Sequence, residues 1–255
     1  MGTELLASHR QRFERDGYLL LEGVVPRGPL ARLSRDIVEQ WRTDSASGAM
    51  FAGGGTVSGH LNCFPGAISR FVYESLQAAG VFGVVAQLSS EPLRHPHVGC
   101  NLNLPGSYPQ NEHVDGYAAR PFLIANVAAV DTDAANGAME IISGTHRREH
   151  KYWEIALRGA DRRRMPMQQG DVLIRTSTLW HRGMPNESSS PRPMLAFTWE
   201  DGGSPLAEPY ARHAGRITFL PNRYRTDWKG RFIERAFVAA PRLGSAYRAA
   251  RSLFE

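Results

Sequence analysis

Gly170-Asp171-Val172-Leu173-Ile174-Arg175-Thr176 is an apolar run opened by a turn pair and closed by Ser177-Thr178, and it reads as a buried β-strand. The same texture recurs on either side of it. Residues 98–104, 121–130, 138–142 and 193–199 are runs of similar length, separated by turn-forming Gly, Pro, Asn and Asp. Short strands at this spacing predict an all-β sandwich or barrel over residues 91–201 rather than alternating βαβ units.

Outward from this core the periodicity becomes helical. Residues 4–15 read as a short helix, and residues 17–25, an apolar run between glycines, as one more buried strand. Past Pro26, Leu30, Leu33, Ile37, Val38 and Trp41 recur at the spacing of an amphipathic helix. Residues 45–65 are rich in Gly and Ser around Gly53-Gly54-Gly55 and read as a loop, of the kind that serves as a lid. Residues 68–88 return to helical spacing through Phe71, Val72, Leu76, Val81 and Val84. Near the end, Phe232, Ala236 and Phe237, then Leu243, Tyr247, Ala250 and Phe254, repeat it. The expectation is mainly β with flanking helices: one domain over 1–255, helical in 1–90, β in 91–201, helical and basic in 202–255.

Composition sets the bounds. A chain of 255 residues has room for one sizeable core, and no linker, repeat or low-complexity tract divides it. Its hydrophobic fraction of 42% and charged fraction of 22% are those of an ordinary soluble protein. No apolar run approaches the ~18 residues that cross a bilayer, and Met1-Gly2-Thr3-Glu4-Leu5-Leu6 lacks the pattern of a secretion signal, so a cytoplasmic protein is expected. Cys63 and Cys100 have no CxxC partner and read as reduced thiols. The net charge of +5 is uneven, with ten Arg and Lys against three acids from Arg212 onward. That segment is a solvated basic surface, or else it meets an anionic substrate, partner or lipid. No nucleic-acid motif accompanies it, and the sequence points to no particular oligomeric state.

Two pieces give the core a chemistry. His113-Val114-Asp115 carries an imidazole and a carboxylate at i and i+2, which project to one side of an extended segment. Far downstream, Leu179-Trp180-His181-Arg182-Gly183 follows the Gly170 run, so a neighbouring strand can bring His181 to the same point. Two His and one carboxylate, with the opposite positions open, suit a non-haem Fe(II) centre that handles O2. Arg192 lies beyond Gly183, Pro185, Asn186 and Pro191, at the start of the strand 193–199. A hairpin-like return sets its guanidinium near the metal, where it can hold the far end of a dicarboxylate co-substrate such as 2-oxoglutarate. His60 and Asn62, in Ser58-Gly59-His60-Leu61-Asn62 on the predicted lid, are candidate substrate contacts, set against a plain structural loop. Trp180 and Trp199 flank the triad as core or pocket wall. His95-Pro96-His97 reads as a loop ahead of a strand.

These residues resemble the phytanoyl-CoA dioxygenase family of Fe(II)- and 2-oxoglutarate-dependent oxygenases. The matching stretches are Phe13-Glu14-Arg15-Asp16-Gly17-Tyr18, His113-Val114-Asp115, residues 136–147, Gly170-Asp171-Val172, and His181 with Pro185-Asn186 and Arg192; they span roughly residues 13–200. The resemblance implies a double-stranded β-helix, or jelly roll, with iron ligands at His113, Asp115 and His181 and with Arg192 clamping 2-oxoglutarate. It also implies a polar contact to 2-oxoglutarate from a strand entering the site, with Asn103 preferred over Asn101. Gly137, Gly144 and His146 shape backbone on this reading. The implied activity is hydroxylation of an unactivated C–H bond in a small-molecule substrate, releasing succinate and CO2. Desaturation, epoxidation or cyclisation would use the same residues. The family's substrates are diverse, and the basic C-terminal segment favours a polar or anionic one, such as a natural-product or saccharide precursor. Asp115 argues against halogenation, for which related enzymes carry a small residue there. The chain departs from its relatives at Gly183, often a hydroxyl residue, and at Val114, polar in some. A non-catalytic metal-binding jelly roll is the competing reading, and it gives Arg192 no evident use.

Overall fold

The computed structural model describes residues 7–48, 53–55, 58–89, 94–158, 161–200, 209–211, 215–220 and 240–253, together with Trp228 and Phe232. Eight strands form the larger sheet: β1 (Tyr18–Leu21), β2 (Gly53–Gly55), β3 (His60–Pro65), β4 (His97–Asn103), β5 (Leu123–Ala128), β8 (Val172–Thr176), β10 (Arg192–Trp199) and β11 (Ile217–Phe219). Their order is β1-β8-β5-β10-β4-β3-β11, with β2 paired to β3. The smaller sheet joins β6 (Glu140–Ile142), β7 (Arg162–Arg164) and β9 (His181–Arg182) in the order β7-β6-β9. All strand pairs are antiparallel. The architecture is the jelly roll that the resemblance implies.

The large sheet divides its residues by the period of two that a pleated strand imposes. Leu61 and Cys63, Cys100 and Leu102, Ala125 and Val127, Val172 and Ile174, and Leu195 and Phe197 point one way into a single apolar cluster. Helices α2 (Arg27–Ala46), α3 (Arg70–Ala78) and α4 (Val81–Leu88) cover that face with Leu30, Leu33, Ile37, Val72, Leu76, Val81 and Val85, none of them exposed. Each such side chain contributes up to roughly 1.5–3 kcal/mol by burial. The alternate residues face the other way: His60, Asn62, Asn101, Asn103, Asn126, Arg175, Arg192 and Thr198. A sheet so polar on one face has a ligand to hold there. Helix α1 (Ala7–Asp16) leads into β1, while α5 (Tyr152–Leu157) packs on α6 (Pro241–Ser252) beside the small sheet.

Several expectations change. Residues 45–65 are not one loop: residues 45 and 46 end α2, and β3 lies inside the sheet between β4 and β11. His60 is therefore a wholly buried strand residue and not part of a lid. The strand predicted over 17–25 is confined to Tyr18–Leu21, and the helical stretch 68–88 breaks between α3 and α4. The β-structure also exceeds 91–201, because β1, β2, β3 and β11 join the same sheet from the two flanks. Residues 4–6, Ala236, Phe237 and Phe254 lie outside the described residues. Among the described residues no single helix is long and apolar enough to cross a membrane.

Candidate active site

Two reciprocal backbone hydrogen bonds build the centre of the site. The His113 N–H donates to the His181 carbonyl and the His181 N–H to that of His113, each at 3.0 Å, so the two imidazoles emerge side by side. Their ring centroids are 4.5 Å apart. The Asp115 N–H donates to the Ser177 carbonyl at 2.8 Å, which ties the carboxylate to the end of β8. One donor atom from each of His113, Asp115 and His181 falls within 4.8 Å of the others. The carboxylate Oδ1 is 3.7 Å from His113 Nε2, and Oδ2 is 3.4 Å from His181 Nε2.

Hydrogen bonding fixes which nitrogen is offered. His113 Nδ1 donates to the Asn111 carbonyl at 2.8 Å and His181 Nδ1 to that of Leu179 at 2.9 Å. A carbonyl only accepts, so both Nδ1 atoms carry a proton, and Nε2 is the atom that each ring turns toward the carboxylate. Burial brings the pKa of His181 down to about 3, which keeps it neutral. Burial pushes the Asp115 pKa upward, but the guanidinium of Arg175, hydrogen-bonded to the carboxylate, outweighs it and holds the group well below the usual carboxylate range. Two imidazoles that offer Nε2 and one ionised carboxylate, already converged, fit a ferrous ion.

A cavity of about 380 Å³ opens in front of these donors. Arg192 lies in its wall, 3% exposed, with Nη2 donating to the Gly137 carbonyl at 2.9 Å. Burial lowers its pKa to about 10, and it remains charged at neutral pH. Gly137 has φ +82°, and a Cβ there would lie 2.4 Å from Asn103 Nδ2 and 2.6 Å from the Met184 carbonyl. The close approach that supports Arg192 thus requires glycine. A larger, more open depression of about 970 Å³ over Val25, Arg27, Asp131 and Gln169 holds none of the ligand candidates.

The other sequence candidates divide. Asn62 and Asn101 line the cavity, whereas Asn103, the preferred co-substrate contact, does not: its Nδ2 donates to the Met184 carbonyl at 2.9 Å, and its Oδ1 is buried without a hydrogen-bond partner. His60 is buried behind the wall, where Nε2 donates to the Tyr108 carbonyl at 2.8 Å and burial lowers its pKa to about 4. Trp180 packs with Ile142, Tyr152 and Ile155, and Trp199 lies edge-on to Phe82 in the main core, so neither is a pocket wall. Gln110, Asn126 and Arg175 line the cavity and were missed. Arg175 Nη2 donates to Asp115 Oδ2 at 2.6 Å and its Nε to Asn126 Oδ1 at 2.9 Å. Gln110 accounts for Gly183: its Oε1 accepts the Gly183 N–H at 2.8 Å, and a Cβ at 183 would lie 2.8 Å from both that oxygen and His60 Cε1.

The family model for phytanoyl-CoA dioxygenase matches residues 13–194, more than half of the sequence. The chain belongs to the phytanoyl-CoA dioxygenase family. By that membership it is a 2-oxoglutarate-dependent oxygenase, and iron and 2-oxoglutarate are its cofactors. Solved structures share the fold at low identity. The non-heme alpha ketoglutarate dependent epimerase SnoN from nogalamycin biosynthesis is 20% identical with TM-score 0.59, over 84% of this chain and 91% of its own. The carbocyclase SnoK from the same biosynthesis is 14% identical with TM-score 0.60, over 86% and 99%. HygX from Streptomyces hygroscopicus, with nickel and 2-oxoglutarate bound, is 16% identical with TM-score 0.58, over 86% and 98%.

Proposed function

We propose that this family member hydroxylates an unactivated C–H bond of a small polar or anionic metabolite, converting 2-oxoglutarate and O2 to succinate and CO2 in the same turnover. The observation that supports this most is Arg192, a buried guanidinium in the wall of the cavity that the two imidazoles and the carboxylate face. Its hydrogen bonds to the Asn136 and Gly137 carbonyls need no buried charge, whereas a dicarboxylate partner does.

When bound, iron with 2-oxoglutarate and O2 supplies the oxidising power for C–H cleavage. The chain does the rest. His113 and His181 turn Nε2 to the site because their Nδ1–H groups are engaged by backbone carbonyls, and Asp115 stays ionised beside Arg175. Arg192 takes the far carboxylate of 2-oxoglutarate, and the walls from Phe122, Ile124, Met139 and Met194 limit water. Desaturation, epoxidation, ring closure and epimerisation make the same demands on these residues, and two relatives of this fold carry the names epimerase and carbocyclase. Gain of one oxygen atom in the product separates hydroxylation or epoxidation from desaturation and ring closure, which lose two hydrogens, and from epimerisation, which leaves the mass unchanged.

The test uses anaerobically iron-loaded protein exposed to O2 and 2-oxoglutarate, with succinate as the readout. Wild type is expected to release it. Removing one side of a buried charge pair costs about 2–5 kcal/mol, so Arg192→Ala should weaken the apparent affinity for 2-oxoglutarate by about thirtyfold or more. No succinate from wild type, with no iron-linked absorbance on adding 2-oxoglutarate, sinks the reading.

A further inference from the structure

We propose that the substrate proper carries a carboxylate, seated against Asn126 and Thr198 at the end of the cavity away from Arg192. This rests on the oxygenase reading and specifies its second ligand. Four side-chain amides line the cavity, and in three of them the oxygen is already committed, while the fourth, Asn101, spends its nitrogen on Asn62 and Leu61. Gln110 Oε1 accepts the Gly183 N–H, and Asn126 Oδ1 accepts Arg175 Nε–H. Asn62 Oδ1 accepts from Asn101 Nδ2, which is itself oriented by the Leu61 carbonyl at 3.3 Å. Each of these partners can act in only one sense, so the amides cannot be flipped. All three therefore turn N–H donors toward the cavity, and those donors call for an oxygen-rich acceptor.

Charge points the same way. Two buried guanidiniums, Arg175 and Arg192, and one carboxylate, Asp115, leave the wall one positive charge in excess. A divalent ion and a dianionic co-substrate cancel each other, so the excess persists. Glu112 and Glu140, near neighbours in the small sheet's surroundings, are taken up by Arg162, Arg182 and Arg164 and do not offset it. Arg175 Nη1 is buried without a hydrogen-bond partner.

Register places the seat. Strand β10 carries Arg192 at its start and Thr198 near its end, about 20 Å apart at the rise of a strand. Asn126 lies opposite Ala196 and Arg175 opposite Ile124, which is itself opposite Thr198. The co-substrate occupies the Arg192 end, and the second anion falls to the other.

The experiment titrates benzoate, benzamide and benzylammonium into nickel-loaded full-length protein saturated with 2-oxoglutarate, reading binding by saturation-transfer NMR. Separately, succinate release from the iron-loaded protein reports on the oxygenase reading. Benzoate is expected to bind at least tenfold tighter than benzamide, with benzylammonium excluded and 2-oxoglutarate still bound. Asn126→Asp, which sets a like charge at the seat, should weaken benzoate at least tenfold. Equal binding of benzoate and benzamide, preference for benzylammonium, mere displacement of 2-oxoglutarate, or no binding by any of the three overturns the proposal. Because the decisive comparison is made on wild type, a variant that fails to fold does not rescue it. Absent succinate release overturns the oxygenase reading instead.

Discussion

Asp115 shows how one side chain serves both folding and chemistry. It is the partner of Arg175, whose side chain is 5% exposed, so a change that removes its charge strands a buried guanidinium. Asp115→Asn should lower the stability of the metal-free protein by about 3–5 kcal/mol in chemical denaturation, and Arg175→Met in the same chain should recover much of it. The buried histidines make a second prediction. His60 and His181 have folded-state pKa values of about 4 and about 3, both below the ordinary 6.5. Between those values the unfolded chain binds protons that the folded chain does not. Stability of the metal-free protein is therefore full above pH 6.5 and falls as pH drops toward 4. The shift at His60 alone amounts to something on the order of 3 kcal/mol. Denaturation midpoints that stay flat across that window would contradict it. His113, Asp115, His181 and Arg192 were legible because their spacing carries chemistry without a fold. Arg175 and Asn126 were not, since a lone polar residue inside an apolar run gives no sign of which face it takes.

At the scale of elements, the misreading of β3 has a physical cause. His60-Leu61-Asn62-Cys63 alternates as a strand should, but the inward face is the polar one because it fronts the site. Its neighbours Gly53-Gly54-Gly55 and Ser58 then make the stretch look like loop. The runs that became β5, β8 and β10 were easier, because burial on both sides leaves them mostly apolar. The turn between β5 and β6 carries a further prediction. Gly137→Ala meets a φ of +82°, costing about 1–2 kcal/mol from backbone strain alone, and then the clash with Asn103 and Met184. Because the Gly137 carbonyl positions Arg192, the apparent affinity for 2-oxoglutarate should fall as well, although Gly137 does not line the cavity. In β9's extension, Gly183→Ser puts back the hydroxyl that relatives often carry. Here it should be harmful, since Gln110 and His60 occupy its space; restored or improved turnover would show that they yield.

Across the whole molecule, the ends of the chain serve the middle. Helix α6 reaches the ligand-bearing segment: Arg248 Nη1 donates to the Glu112 carbonyl at 3.3 Å, and Tyr152 hydrogen-bonds both Ser245 and Glu112. Helix α6, within the basic C-terminal region, is thus more than a solvated surface. Truncation before Pro241 should lower both the melting temperature and the affinity for the metal, as measured by competition with a chelator; turnover spared by the truncation would place the tail outside the catalytic unit. The reciprocal bridge between His113 and His181 has a consequence of its own. Donors that the backbone holds together need no ion to assemble them, and such a cleft cannot refuse an intruder. First-row ions will compete for it in the Irving–Williams order, copper and nickel ahead of iron. Which ion the enzyme carries is then decided by supply, and a preparation loaded with the tighter-binding ion can be perfectly folded and inert.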